Sequence, residues 1–170
     1  MIKKQEITIN INGVDRKFEV EPRKLLSDVL REDFGLTGTH VSCEIGVCGV
    51  CTVLMNDKTC RTCLTFAIQA NGAEVKTVEY FNQEKGLNYI QKAFHKNHAL
   101  QCGYCTPGFL IVLGYLFKNN KNPNDDQINE ALSDVLCRCT GYKNIFKAAC
   151  EARDSLKNLV MEKSNNGTKN

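Results

Sequence analysis

Ten cysteines fall in a chain of 170 residues, and all but Cys150 stand in two groups. The first is Cys43-x4-Cys48-x2-Cys51, followed by Cys60 and Cys63; the second joins Cys102-x2-Cys105 to Cys137-x-Cys139. Grouped cysteines serve disulfides or metals. The start, MIKKQEITIN, has basic residues with no apolar stretch behind them, so no secretory signal or lipidation motif is expected and the chain is expected to be cytoplasmic. Cytosolic thiols stay reduced, which makes metal binding the leading reading and disulfides of the thermophile kind the alternative.

The x4, x2 spacing of CEIGVCGVC is that of the plant-type 2Fe-2S loop, with a fourth ligand further along. Gly46 and Gly49 suit a loop folded back on itself, and they let backbone N–H groups approach cluster sulfurs. Four thiolates also suit zinc, which stays open, although zinc less often uses this run. The fourth ligand is Cys60 or Cys63. Thr52 to Met55 reads as a strand, Asn56 to Lys58 as a turn and Thr59 to Thr62 as the return strand. Reflection about Asp57 sets Cys63 opposite Cys51, and sets Cys60 opposite Leu54, about 10 Å further along. Cys63 is therefore the expected ligand, and Cys60 a half-buried free thiol.

In the second group a helix, a turn at Asn122 and Pro123, and another helix can bring the two pairs together. Zinc is open here too, but its paired cysteines usually stand two or more apart, unlike Cys137-x-Cys139. Thr106 and Pro107 place Cys105 at a helix N-terminus, where free N–H groups favour thiolate charge.

The two halves differ in periodicity. Ile7, Ile9 and Ile11 alternate with Thr8, Asn10 and Asn12, Gly13 supplies a turn, and Arg16 to Val20 is extended again: a β-hairpin. Pro22 is expected to open a helix with Leu25, Leu26, Val29 and Leu30 on one face, closed at Phe34 and Gly35. Beyond about Tyr80 the period is helical, with Leu87, Ile90 and Phe94, then Phe109, Val112, Leu113, Leu116 and Phe117, and further helices after Asn124 and Asn144. The expected fold class is α+β: a mixed domain over residues 1–80, a helical domain over 81–160, and a flexible tail over 161–170, with the boundary between Glu74 and Glu84. Each half, at about 80 residues, has a marginal core of the size that metal commonly staples.

GLTGTHVSCEIGVCGVC, QCGYCTPG and CRCTGY resemble the signatures of the small subunit of the xanthine dehydrogenase, aldehyde oxidoreductase and carbon monoxide dehydrogenase family, over about residues 5 to 155. The resemblance implies a plant-ferredoxin-like β-grasp domain followed by a four-helix bundle domain, each with one 2Fe-2S cluster. By position, Cys43, Cys48, Cys51 and Cys63 are similar to the ligands of the first cluster, and Cys102, Cys105, Cys137 and Cys139 to those of the second. Gln101 matches a glutamine that contacts the pterin cofactor, and Cys139 the ligand nearest to it. Ser42 and Val50 depart from the Gly and Ala of many members, and Val47 is a variable position. The implied partners are a large molybdopterin-binding subunit and a medium FAD-binding subunit, in a heterotrimer or a dimer of heterotrimers. Electrons released at molybdenum would pass through the helical-domain cluster, then the ferredoxin-like cluster, to FAD.

A net charge of +3 offers no basic field for nucleic acid. The longest apolar run, Phe109 to Phe117 broken by Gly114, is too short for a membrane span of roughly 20 residues. His40, His95 and His98 are expected in surface or packing roles, and Cys150 in a core. Two rivals remain: a free-standing two-cluster ferredoxin-type carrier, and a colourless zinc-bound interaction module. The substrate would be recognised in another chain. An aldehyde is the first candidate, with purines, carbon monoxide and aromatic heterocycles open.

Overall fold

The computed structural model describes residues 3–82 and 86–166. Strands β1 (Gln5–Ile11) and β2 (Val14–Val20) form the expected hairpin, paired from Gln5↔Val20 to Ile11↔Val14. Its two-residue turn, Asn12 and Gly13, has both φ angles positive at 53° and 87°, the twist that matches right-handed strands. Ile7, Ile9 and Ile11 are buried on one face, as the alternation requires. Strands β3 (Thr52–Met55), β4 (Lys58–Arg61) and β5 (Glu74–Lys76) complete a sheet of order β2-β1-β5-β3-β4, in which only β1 and β5 run parallel.

Helix α1 (Leu26–Asp28), prolonged by a π-helical turn over Val29–Asp33, lays Leu26, Val29 and Leu30 on this sheet, all fully buried. It does not start at Pro22, which sits in a turn. The backbone of residues 24–26 is instead held by a neighbouring segment: Ala67 N–H donates to Lys24 O at 2.9 Å, Leu26 N–H donates to Thr65 O at 2.8 Å, and Leu25 bridges Phe66. Leu25 thus stays extended, and helix begins only after it.

The β3–β4 register also differs from expectation by one residue. Met55 pairs with Lys58 and Val53 with Cys60, so the turn is Asn56 and Asp57 alone, both left-handed at φ 49° and 59°. A two-residue turn of this hand joins strands tightly, and Asn and Asp tolerate it without glycine. Cys51 therefore faces Thr62, whose N–H and hydroxyl both donate to Cys51 O, at 3.4 and 2.9 Å.

The helical half comprises α2 (Tyr89–Lys96), α3 (Thr106–Asn119), α4 (Asp125–Ser133) and α5 (Lys143–Asn166). Asn88 and Asn124 cap α2 and α4 by accepting from Gln91 and Gln127 N–H groups, each at 2.9 Å, which satisfies donors a helix start leaves open. Apolar α3 packs on β3 and β4 and also on α2 and α4, while α2 and α4 lie against α5. Phe94, Phe109, Leu113, Phe117, Ile128 and Ile145 form the second core. Leu87, expected on the buried face, precedes the helix and is exposed. Helix α5 continues to Asn166, and residues 167–170 of the expected tail lie outside the described residues. Among the described residues no helix is long and apolar enough to cross a membrane.

Candidate metal centres

The first loop turns back on itself through Glu44, Gly46 and Gly49, at φ 57°, 78° and 71°. This reversal points the Cys48 N–H at Cys43 Sγ, 3.4 Å away. Hydrogen bonds from the Cys48 and Ile45 backbone amides bring the Cys43 thiol down to about 6. Cys63 rides on a 3-10 turn, Thr62–Leu64, directly after β4, and its thiol is in hydrogen-bonding contact with that of Cys51. Burial and then that neighbouring thiol push Cys63 up to about 11. The expected residue thus reaches the set by way of the turn after the strand and not by lying opposite Cys51. Cys60 points away, packed against the sheet core with Sγ 3.2 Å from Thr65 Oγ1.

The second set is assembled from two helix ends. Cys105 caps α3, with Pro107 in the first turn, where a missing N–H costs nothing. The loop after α4 delivers Cys137 and Cys139. Tyr142, left-handed at φ 65°, accepts the Cys137 N–H on its hydroxyl at 2.9 Å and donates to Val135 O at 3.2 Å. Cys139 Sγ lies 3.6 Å from Cys102 Sγ, and the Cys105 and Cys137 thiols are likewise in contact. Burial, followed by Cys137, pushes Cys105 up to about 12. Burial also acts to raise Cys137, but the Thr140 hydroxyl and backbone outweigh it and hold that thiol below its usual value.

Within each set the thiols act on one another's ionisation: Cys43, Cys48, Cys51 and Cys63 in the first, Cys102, Cys105, Cys137 and Cys139 in the second. Among the described residues no three His, Cys, Asp or Glu converge as the ligands of a single ion. A zinc ion would draw four sulfurs to about 2.3 Å from one point. Two irons bridged by sulfide share four cysteine thiolates between them, and each set supplies four. Each set also contains a buried thiol that ionises only beside compensating positive charge, which metal supplies. Thr106 Oγ1, next to Cys105, is buried without a partner, and a cluster sulfur would give this hydroxyl an acceptor. The donor sets therefore fit the group.

The two loops also touch. Leu136 N–H donates to Cys48 O at 2.9 Å. Tyr104, between Cys102 and Cys105, stacks on His40 at 4.4 Å and donates its hydroxyl to Val41 O at 2.6 Å. His40 joins the halves and belongs to neither sulfur set, and exposed His95 and His98 lie at the end of α2. Cys150 packs against the helical core, with its sulfur 3.9 Å from Asp125 Oδ1. Gln101 is exposed beside exposed Cys102. Tyr104, Tyr142, Arg61 and Leu136 were not singled out by spacing, and only the neighbouring motifs QCGYC and CRCTGY hinted at the two tyrosines.

Residues 9–77 match the family described as 2Fe-2S iron-sulfur cluster binding domain, and residues 77–150 that described as 2Fe-2S binding domain. The chain is 46% identical to the 6-hydroxypseudooxynicotine dehydrogenase complex subunit beta of Paenarthrobacter nicotinovorans, over 86% of this chain and 92% of that one. It is 43% identical to a probable xanthine dehydrogenase subunit of Bacillus subtilis (strain 168), over 91% of this chain and 89% of that one. A chain in the crystal structure of quinoline 2-oxidoreductase from Pseudomonas putida 86 superposes with a TM-score of 0.86 at 44% identity, covering 91% of this chain and 97% of that one. With two iron-sulfur domains in tandem and near full-length likeness to such subunits, the chain belongs to the family of small iron-sulfur subunits of xanthine dehydrogenase, aldehyde oxidoreductase and related molybdenum hydroxylases.

Proposed function

We propose that Cys43, Cys48, Cys51 and Cys63 hold one 2Fe-2S cluster and Cys102, Cys105, Cys137 and Cys139 the other, in an electron relay between two partner chains. The observation that carries this reading is the gathering of the eight sulfurs into two sets of four, each close enough for its thiols to act on one another's ionisation, with Cys139 Sγ 3.6 Å from Cys102 Sγ in the second. When bound, each cluster takes up and gives back one electron, which suits a relay and not substrate chemistry. The chain's own part is to hold the sulfurs, keep water from Cys51, Cys63 and Cys105, and dock. In this reading residues 1–80 are a β-grasp domain and 81–160 a four-helix bundle.

The partners are a large molybdopterin-binding subunit and a medium FAD-binding subunit, in a heterotrimer or a dimer of heterotrimers. Two exposed apolar groups support docking at each set: Ile45, Val47 and Leu64 by the first, Leu100, Tyr104 and Leu136 by the second. Exposed Cys102, Cys139 and Gln101 favour the second set as the side that meets the pterin, with FAD beyond the first. Thiols used in this way favour a cytoplasmic location. Relatives named for xanthine and quinoline favour a nitrogen heterocycle as the substrate of the complex, ahead of an aldehyde.

The purified chain alone is expected to take electrons from a chemical reductant and to oxidise no aldehyde, purine, heterocycle or carbon monoxide. Steady turnover by this chain free of molybdenum would overturn the reading, and so would a stable monomer that passes electrons with no partner complex.

A further inference from the structure

The two cysteine loops meet in a close contact that involves Gly49, Gly108, Leu136 and Arg61. Gly49, at φ 71°, turns its Cα toward α4 so closely that a Cβ there would stand 1.9 Å from Asp134 O and 3.1 Å from Val135 Cα. From the other side Gly108, in the first turns of α3, leaves room for Gly49 O, which would stand 2.9 Å from an added Cβ. Cys48 and Val50, from the loop of the first half, are buried in the core of the second. Leu136 N–H then reaches Cys48 O at 2.9 Å. Cys48 is in the first sulfur set and Cys137, the residue after Leu136, is in the second. One hydrogen bond therefore joins the two sets by an otherwise covalent path.

Arg61 holds this arrangement from the end of β4. Its Nη2 donates to Asp134 O at 2.9 Å and stands 3.6 Å from Asp134 Oδ1. Its Nη1 donates to Thr52 Oγ1, which in turn donates to Gly49 O at 2.5 Å. A guanidinium presents several donors in a fixed plane, so it can tie both sides at once, and a lysine ammonium reproduces the charge but not the fork. On the far side Tyr142 fixes Val135 O and the Cys137 N–H. The segment 134–137 is thus gripped at both ends, with the Leu136 amide between.

We propose that Arg61 is a positioning residue for electron transfer between the two sets, locking Asp134 against the Gly49 turn so that the Leu136–Cys48 hydrogen bond has one geometry. The proposal rests on the ligand assignment above. Electron transfer between fixed centres falls steeply as the gap between them widens, and a hydrogen bond conducts better than the open contact that replaces it. One electron leaves one set and enters the other, with no bond made or broken and no proton required, so the chain contributes through distance and rigidity alone.

The test compares wild type, Arg61→Met and Arg61→Lys in the assembled complex. Three quantities are read: iron and sulfide content, the magnetic splitting between the two reduced centres, and amide exchange at Leu136. Arg61→Met is expected to keep its iron and sulfide, to blur the splitting into a range of values, and to speed Leu136 exchange by about ten-fold or more as the clamp opens. Electron transfer between the sets, followed by rapid freezing, is expected to slow by about ten-fold, with Arg61→Lys recovering part of the loss. Unchanged splitting and Leu136 exchange in Arg61→Met would overturn the proposal. Iron loss in that variant would also overturn it, by making Arg61 a support of one centre and not a link between two. Wild type lacking paired iron and sulfide would instead sink the ligand assignment itself.

Discussion

Cys60 and Cys63 are near neighbours in the chain and face different surroundings, the first against the sheet core beside Thr65, the second against Cys51. Cys60→Ser is expected to leave iron content unchanged, while Cys63→Ser loses about half the iron, one cluster of two. Iron analysis with visible absorption decides it, and the reverse outcome would place the ligand on the strand. Gln101 offers the second test at this scale. In the proposed relay its exposed amide would offer donor and acceptor to a pterin edge, so Gln101→Ala is expected to keep both clusters but to leave a cofactor group unpaired at a cost of about 1–3 kcal/mol. Rapid mixing of the complex with substrate is expected to show slower reduction of the second set and unchanged onward transfer. An unchanged first step, with full molybdenum occupancy, would make Gln101 a packing residue. The grouping of the cysteines was legible because Cys43, Cys48 and Cys51 share one loop and Cys102 with Cys105, and Cys137 with Cys139, stand in short local motifs. Arg61 was not, since its partner Asp134 lies 73 residues away and nothing local marks the pair.

At the scale of elements, periodicity was informative wherever burial is one-sided. The Ile7–Ile9–Ile11 alternation and the Phe109–Phe117 run both became what they suggested. Two boundaries moved, the first for a reason that residues 21–30 do not carry and the second for one that lies in the turn residues themselves. Helix α1 starts late because residues 65–67 pair with residues 24–26, and the β3–β4 hairpin is one residue tighter because Asn56 and Asp57 both accept left-handed backbone. The packing of α2 on α5 was also illegible, and it carries a pH signature. Lys96, then Asn97, hold the Glu151 carboxyl below its ordinary 4.5, through bonds of 2.7 Å each. A carboxyl depressed on folding stabilises the fold above its unfolded value, and the gain fades as pH falls through the lower folded value. The urea midpoint of wild type is therefore expected to exceed that of Glu151→Gln at about pH 7, and the difference to shrink below about pH 4.5. A difference that does not vary with pH would show that the contact acts by packing and not by charge.

On the scale of the whole molecule, two small cores are joined by α3, which touches the sheet on one side and the other helices on the other, and by the interlocked cysteine loops. Lys118 near the end of α3 pairs with Asp57 at the β3–β4 turn at 2.6 Å, adding a contact far from the sulfurs. The division into a mixed half and a helical half was legible from periodicity; the way Cys48 and Val50 enter the helical core was not, because it depends on glycines at two distant positions fitting together. Such a union suits the proposed relay, in which two redox centres are held at one separation. Its central requirement is that both sulfur sets carry iron and sulfide together. The direct measurement is iron, acid-labile sulfide and zinc per chain in the purified full-length protein. The result expected is about four irons and four sulfides, two of each per set; stoichiometric zinc without sulfide would contradict it.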